Sequence, residues 1–112
     1  MKAMGLLLGL VVGLMATPAA FADHFMVTVQ NFAFHPAEMT IFTGDSVGWR
    51  NHDGFHSTTS DDGLWDFGAA NAPWGFASTF TAPGDYMYYC KIHGAAGGVG
   101  MSGVIHILDP GD

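Results

Sequence analysis

A tight turn leads directly into a short strand in the segment Ala82-Pro83-Gly84-Asp85-Tyr86-Met87-Tyr88-Tyr89-Cys90. Its proline and glycine favour the turn, because proline presets φ and glycine accepts a positive φ. Beyond the turn the side chains alternate, with Tyr86, Tyr88 and Cys90 on one face of the predicted strand. The strand therefore ends at a thiol, and an imidazole, His93, follows three residues later.

The residue pattern from position 23 onward also predicts strands over most of the chain. No window of helical length in this part has apolar side chains with a period of 3.6 residues, whereas several short stretches alternate and end at turn residues. Seven or eight short strands separated by turns predict an all-β sandwich or barrel. The predicted strands are His24–Phe34, Met39–Phe42, Ser46–Arg50, His56–Ser60, Ala77–Thr81, Tyr86–Cys90 and Gly103–Leu108, with a long loop at Asp61–Gly75 and a glycine-rich loop at Gly94–Gly100.

The composition excludes several classes of protein. A length of 112 residues favours one domain, and 10 acidic against 3 basic side chains argue against nucleic-acid binding, which needs a basic surface. A single cysteine excludes an internal disulfide and any site that needs two cysteines of this chain. Because small exported domains often gain stability from disulfides or a metal, a metal is the expected stabiliser of this one.

The first segment of the chain has the pattern of a secretion signal. Lys2 precedes an apolar run over residues 5–15, and Ala20-Phe21-Ala22 fits the small-x-small cleavage rule. We therefore predict a signal peptide over residues 1–22 and one exported, for example periplasmic, domain over residues 23–112. The alternative is an uncleaved membrane anchor, since about 20 uncharged residues can span a bilayer. The cleavage pattern favours removal.

One connection between two predicted strands contains three possible metal ligands. Cys90 ends a strand, His93 lies in the connection, and Met101 stands just before the last strand. The connection can therefore present a thiolate, an imidazole and a thioether to one point. An unpaired thiol is a hazard in an oxidising compartment unless it is occupied, which favours Cys90 as a ligand.

A second imidazole has to come from another part of the chain. His56 begins a β-branched run and is favoured over His35 and His52, which lie near turns. Two imidazoles and a thiolate in a trigonal plane, with a distant thioether on the axis, are typical of a blue-copper site. Zinc with one cysteine and two histidines is chemically allowed, but it leaves Met101 without a role.

Several segments carry a resemblance to a known family: Gly44-Asp45-Ser46-Val47, Trp49-Arg50-Asn51, His56, Pro83 to His93, and Gly100-Met101 with Gly103. In these segments the sequence resembles the cupredoxins, and in particular their plastocyanin-like branch. In that family the cysteine, both histidines and the methionine bind one copper ion, which implies His56, Cys90, His93 and Met101 as ligands here. The resemblance also implies an eight-stranded Greek-key sandwich and one-electron transfer without bond making.

The sequence departs from the family pattern at two places. Plastocyanin-like proteins usually have four residues between the second histidine and the methionine, whereas seven residues, Gly94 to Gly100, lie between His93 and Met101. The first ligand histidine of the family is often followed by Asn or Thr, which helps to hold the thiolate by hydrogen bonding. Here Ser57 stands at that position.

The function predicted from these features is that of an exported one-electron carrier with one type 1 copper ion. Its partners would be redox proteins that donate and accept electrons in transient contacts, and no nucleic acid is expected to bind. We expect a monomer, which would contact a membrane only if the signal stays uncleaved. The alternative is a module for copper storage or delivery that uses the same residues. An enzyme is not predicted, because a copper oxidase or reductase needs a second metal centre and no acid is evident to orient a Cys-His pair.

Some surface features leave two interpretations open. The uncharged stretch Gly94–Gly100 beside His93 is either an apolar docking patch or a flexible loop. Asn51 is expected to tie the two ligand-bearing segments together by hydrogen bonds. The acids Asp61, Asp62 and Asp66 are interpreted as solvated loop residues, with steering of a partner as the alternative.

Overall fold

The computed structural model describes residues 22–111 of the chain. Within them it has no helix that is long and apolar enough to cross a membrane. The predicted signal peptide and its cleavage after Ala22 concern residues 1–22, of which 1–21 lie outside the described residues, as does Asp112. The described strands are β1 His24–Gln30, β2 Ala33–His35, β3 Glu38–Phe42, β4 Ser46–Asn51, β5 Phe55–Ser60, β6 Asp66–Asn71, β7 Trp74–Thr79, β8 Gly84–Ala95 and β9 Val99–Leu108.

The strands form two sheets, which confirms the predicted all-β sandwich. One sheet has five strands in the order β3-β9-β8-β5-β6, and the other has four in the order β2-β1-β4-β7. Strands that are distant in sequence lie side by side: β1 runs parallel to β4, and β3 runs parallel to β9. The number of strands in residues 22–111 is nine rather than the predicted seven or eight.

The core lies between the two sheets and follows from the alternation along each strand. Val27 and Trp49 of the smaller sheet and Tyr88 and Ile105 of the larger one are buried side chains of this core. The Trp49 ring lies 5.2 Å from the Tyr88 ring in an edge-to-face contact across the two sheets. Each such large apolar side chain contributes about 1.5–3 kcal/mol when it is fully buried.

The prediction of a long loop at Asp61–Gly75 was wrong. Strand β6 forms within it by pairing with β5, and β7 already begins at Trp74 and pairs with β4. The Phe67 ring packs 4.7 Å from Trp74 and 5.7 Å from Phe76, so aromatic contacts join the two strands. Glycine and alanine hide the alternation of β6, and pairing with the preceding strand β5 decides its structure.

The glycine-rich segment 94–100 is also more regular than predicted. Strand β8 continues to Ala95 and β9 begins at Val99, so the segment is a tight hairpin that extends these two strands. Residues 96–98 are the only part of it outside the strands. This hairpin directly follows His93 and directly precedes Met101.

Candidate metal centre

Three donor atoms form a small triangle at one end of the sandwich. His56 Nδ1 lies 3.2 Å from His93 Nδ1 and 3.8 Å from Cys90 Sγ, and His93 Nδ1 lies 3.7 Å from the same sulfur. His56 and Cys90 are buried, whereas His93 is half-buried. The structure thus brings together three of the four predicted ligands through the atoms that bind metals.

A closed turn before β5 sets the position of His56. The buried Asn51 side chain donates from Nδ2 to the Gly54 carbonyl at 3.0 Å and accepts from the Asp53 N–H at 3.2 Å. Gly54 has a φ of +84°, and a Cβ there would lie 2.8 Å from His56 Nε2, so glycine is needed for both reasons. Asn51 therefore braces the turn next to His56, and the hydrogen bonds of its side chain do not reach the second ligand segment.

Strand β8 places the other two donors by a break in its pairing with β9. Tyr89 pairs with Ser102 and Gly94 pairs with Gly100, so residues 90–93 of β8 face only Met101 of β9. The extra residues have to bow out of the ladder, as in a β-bulge. This bow brings His93 back toward Cys90 Sγ.

Met101 stands at the same irregularity, opposite residues 90–93. Its side chain is buried and belongs to the hydrophobic core together with Cys90. Its backbone approaches Gly94 so closely that a Cβ on that glycine would lie 2.4 Å from the Met101 carbonyl oxygen. The longer connection therefore still returns the methionine to the ligand end of the sandwich.

Ser57 connects the two ligand segments. Its N–H donates to Cys90 Sγ at 3.4 Å, and its hydroxyl accepts from the Lys91 N–H at 2.8 Å. The pairing of β5 with β6 shifts register between His56 and Thr58, which leaves Ser57 outside the ladder with β6. Serine thus makes hydrogen bonds to the second ligand segment although the family often has Asn or Thr at this position. Its N–H stabilises negative charge on the sulfur.

Further hydrogen bonds extend from Ser57 to the surface. Its hydroxyl lies 3.0 Å from the Thr59 hydroxyl, which donates to Asp66 Oδ1 at 3.0 Å. The other carboxylate oxygen of Asp66 pairs with Lys91 Nζ at 2.5 Å. Asp66 is exposed to solvent, and it also links β5 and β8 through Thr59 and Lys91.

The electrostatic environment keeps His56 available as a ligand. Burial lowers the pKa of His56, and the neighbouring His93 lowers it further, against a smaller opposing effect of Asp53. A neutral imidazole has a free lone pair, which a metal requires. The other two candidates, His35 and His52, are exposed and lie outside the triangle.

The dimensions of the triangle suit a metal ion. The point equidistant from the three donor atoms lies about 2.1 Å from each of them, close to the length of a zinc–nitrogen bond, about 2.0–2.1 Å, and slightly shorter than a zinc–sulfur bond, about 2.3 Å. Two imidazoles with one thiolate form a donor set that suits copper, and Met101, whose side chain is buried, stands opposite residues 90–93 as the candidate thioether donor. The residues present therefore fit a copper ion.

Phe32 is a neighbour of the site that the sequence did not indicate. Its ring meets His93 edge-on with ring centres 4.8 Å apart, and it meets His56 in the same way at 5.9 Å. The residue has a φ of 58° and its side chain is 68 % exposed. A bulky residue in the left-handed region carries no simple sequence signal, because that conformation is rare for it.

The sequence is similar to curated plastocyanins. The chloroplastic plastocyanin of Tetradesmus obliquus is 37% identical over 79 residues, which cover 60% of this chain and 54% of that protein. The chloroplastic plastocyanin of Oryza sativa subsp. indica is 33% identical over 79 residues, which cover 60% of this chain and 51% of that protein. The chain thus spans about half the length of the curated relatives it matches. No protein-family model matches the chain.

The fold is similar to solved copper-protein structures. An oxidized variant of amicyanin superposes with a TM-score of 0.65 at 20% identity, covering 75% of this chain and 81% of that one. A copper-containing nitrite reductase from Thermus scotoductus SA-01 superposes with a TM-score of 0.63 at 24% identity, covering 77% of this chain and 22% of that one. At these identities the likeness concerns the fold.

Proposed function

We propose that this chain is a plastocyanin-like cupredoxin and an exported one-electron carrier, which its similarity to plastocyanins in sequence and to amicyanin in fold supports. The proposed ligands of its single copper ion are His56, Cys90, His93 and Met101. The observation that carries the proposal is the triangle of two imidazole nitrogens and one sulfur, with sides of 3.2, 3.7 and 3.8 Å. A site of this kind needs little rearrangement to accept the metal.

Bound copper would supply the exchange of one electron between its Cu(II) and Cu(I) states. The sulfur donors favour Cu(I), and imidazole suits both states. The chain itself holds the donors in place: Cys90 is fully buried and accepts the Ser57 N–H, and the Asn51 turn fixes the start of β5. Donors that move little between the two states keep the barrier to electron transfer low.

The side of His93 is the proposed route for the electron. It is the half-buried member of the triangle, and the exposed Phe32 ring lies against it. A partner that touches this end of the sandwich comes close to the imidazole edge. Transient redox contacts are small, below about 1,200 Å² of total buried area, so we expect weak and rapidly exchanging partners.

Export with removal of the leader is also part of the proposal. Asp23 is held at both backbone groups: its N–H donates to Asp45 Oδ1 at 2.8 Å, and its carbonyl accepts from the Ser46 N–H at 2.9 Å. Cleavage after Ala22 would leave these contacts intact. It would also turn the Asp23 nitrogen into an ammonium group beside the buried Asp45 carboxylate, which strengthens the hydrogen bond.

The test is spectroscopy of the full chain, expressed with its own leader and recovered from the exported fraction. We expect intense visible absorption from thiolate-to-copper charge transfer and a first residue at position 23 by mass spectrometry. His56→Ala and Cys90→Ser should abolish the absorption, whereas His52→Ala, a matched change at an exposed histidine, should not. A Cys90→Ser protein that kept the colour would refute the site.

The same protein distinguishes an electron carrier from a storage or delivery module. A carrier gives a reversible one-electron wave in voltammetry and retains copper in the presence of a competing chelator. A delivery module releases the ion rapidly and shows no reversible wave. The buried, hydrogen-bonded Cys90 favours retention.

A further inference from the structure

The hairpin between the last two strands is the part of the site where this chain departs from the plastocyanin-like spacing. Val99 pairs with Ala95 and Gly100 with Gly94, so the longer connection is folded back on itself. Its turn uses glycine at 97 and 98 with φ of +91° and +78°. The additional residues are therefore accommodated as a defined hairpin rather than as an open loop.

The base of the hairpin couples the second histidine to the methionine. Gly94 directly follows His93, and Gly100 directly precedes Met101. The backbones approach so closely here that a Cβ on Gly100 would lie 2.5 Å from the His93 carbonyl oxygen, and a Cβ on Gly94 would lie 2.7 Å from the Val99 carbonyl oxygen. A tilt of the hairpin must therefore move the backbone on both sides of the site.

The tip of the hairpin is held by a carboxylate from another connection. Asp61 follows β5, and its Oδ2 accepts the Gly97 N–H at 2.8 Å. Asp61 is itself fixed, because its own N–H donates to the Met87 carbonyl at 2.9 Å. A Cβ on Gly98 would lie 3.4 Å from Met87 Cε, so the tip also rests against that side chain.

The second carboxylate oxygen of Asp61 is buried and has no hydrogen-bond partner within residues 22–111. Leaving a buried acceptor unsatisfied has a cost in stability, of about 1–3 kcal/mol in general. The Asp61 carboxylate therefore contacts the hairpin through the Gly97 N–H alone among the hydrogen bonds of its side chain within residues 22–111.

We propose that Asp61 is a positioning residue for the copper site. Through Gly97 it fixes the tilt of hairpin 94–100, and through the Gly94–Gly100 pair it fixes how His93 and Met101 approach Cys90. The inference rests on the proposed function and adds to it an acid that lies outside the ligand set. It also explains how a seven-residue connection can hold Met101, the proposed fourth ligand, in place.

The experiment compares Asp61→Ala, which removes the acceptor, with Asp61→Asn, which keeps a carbonyl oxygen there. Asp62→Ala is the matched control, because it removes the same charge from an exposed neighbour. In the apoprotein, hydrogen exchange at the Gly97 amide should rise about tenfold in Asp61→Ala, since loss of the acceptor removes the hydrogen bond that protects this amide. Asp61→Asn should stay near wild type.

In the copper-loaded protein, Asp61→Ala should release copper to a chelator about tenfold faster, the lower end of the effect of outer residues on metal sites. Its EPR hyperfine splitting and visible band ratio should shift, whereas Asp61→Asn and Asp62→Ala should match wild type. If Asp61→Ala does not fold, Asp61→Ser replaces it, because serine removes the carboxylate but keeps a polar side chain at this position.

The outcomes separate this inference from the proposed function. A wild-type protein without the charge-transfer band refutes the proposed function, and the inference falls with it. A blue wild type whose Asp61→Ala variant has the same spectrum and release rate refutes the inference alone. Faster exchange at Gly97 with an unchanged copper spectrum also refutes it, since the contact would then serve only the fold.

Discussion

Replacement of Gly103 by alanine tests the packing that supports the ligand strand. Gly103 pairs with Tyr88 across β9 and β8, and a Cβ at this position would lie 2.5 Å from both Cζ and the hydroxyl oxygen of Tyr88. The tyrosine ring cannot swing away easily. It is buried, and the rings of Phe34 and Trp49 pack against it at 4.7 and 5.2 Å.

Overpacking a well-filled core typically costs about 1–3 kcal/mol, and the rigid surroundings of Tyr88 place Gly103→Ala at the upper end. For a domain of this size, a loss of about 3 kcal/mol lowers the unfolding midpoint by more than about 10 °C. Urea unfolding followed by tryptophan fluorescence, together with calorimetry, measures both quantities. An unchanged dependence on denaturant, with a lower midpoint, would show that the substitution changed the stability.

Gly68→Ala is the matched control for this prediction. Gly68 also lies in a strand of the same sheet, but no atom lies within 4 Å of where its Cβ would be. Alanine there should change the unfolding free energy by no more than about 1 kcal/mol. If Gly103→Ala proved as stable as Gly68→Ala, the reasoning that a Cβ at position 103 overpacks the core against Tyr88 would be refuted.

Three further predictions concern stability. Copper should raise the unfolding midpoint in calorimetry, because free ion at 100 times its Kd stabilises the folded state by about 2.7 kcal/mol, and removal by a chelator should reverse this. Asp85 and then Glu38, each 2.6 Å from a ring nitrogen of His106, raise the pKa of His106 above 6.5. Its stabilising effect is therefore present below pH 6.5 and lost as the pH rises through the folded-state pKa, so the midpoint difference between wild type and His106→Gln should shrink from pH 5 to 8. Phe32→Gly should be more stable than Phe32→Ala by about 1 kcal/mol in urea unfolding, because only glycine adopts a φ of 58° without cost.

The strands that were correctly predicted from the sequence are those that bury one face. Val27 and Val29 of β1 alternate with half-exposed or exposed neighbours, and so does Tyr88 of β8. The burial of every second side chain leaves a clear signal in the sequence. The all-β class and the arrangement of Cys90 at the end of such a strand were predictable for this reason.

The segments whose structure the sequence predicted poorly depend on which backbone lies opposite them, and their own side chains do not indicate it. Strand β6 has little alternation of its own and forms because β5 supplies a partner for its backbone. Hairpin 94–100 reads as a flexible loop, since glycine has no strand preference, and its regular pairing is specified by the meeting of Gly94 with Gly100. Sequence alone does not reveal which backbone will lie opposite a glycine.

The sequence predicted the donor residues of the candidate site better than it predicted the residues around them. The spacing of Cys90 and His93 indicated two of them, and a β-branched run favoured His56, which the structure places in the triangle. The contacts of Ser57 and Phe32 with these donors could not be predicted from the sequence. Both depend on backbone that leaves its regular path, at a shifted register for Ser57 and at a left-handed φ for Phe32.

Two irregular places in one sheet create the site. In the β5–β6 ladder the register shifts at Ser57, which frees its N–H for the sulfur of Cys90. In the β8–β9 ladder residues 90–93 face Met101 alone, which lets His93 turn back toward the same sulfur. Regular pairing on both sides fixes these two places relative to each other, so the donor atoms lie within 3.8 Å of one another. Under the proposed function, donors that the strand pairing already fixes would move little when copper gains or loses an electron, and this favours rapid transfer.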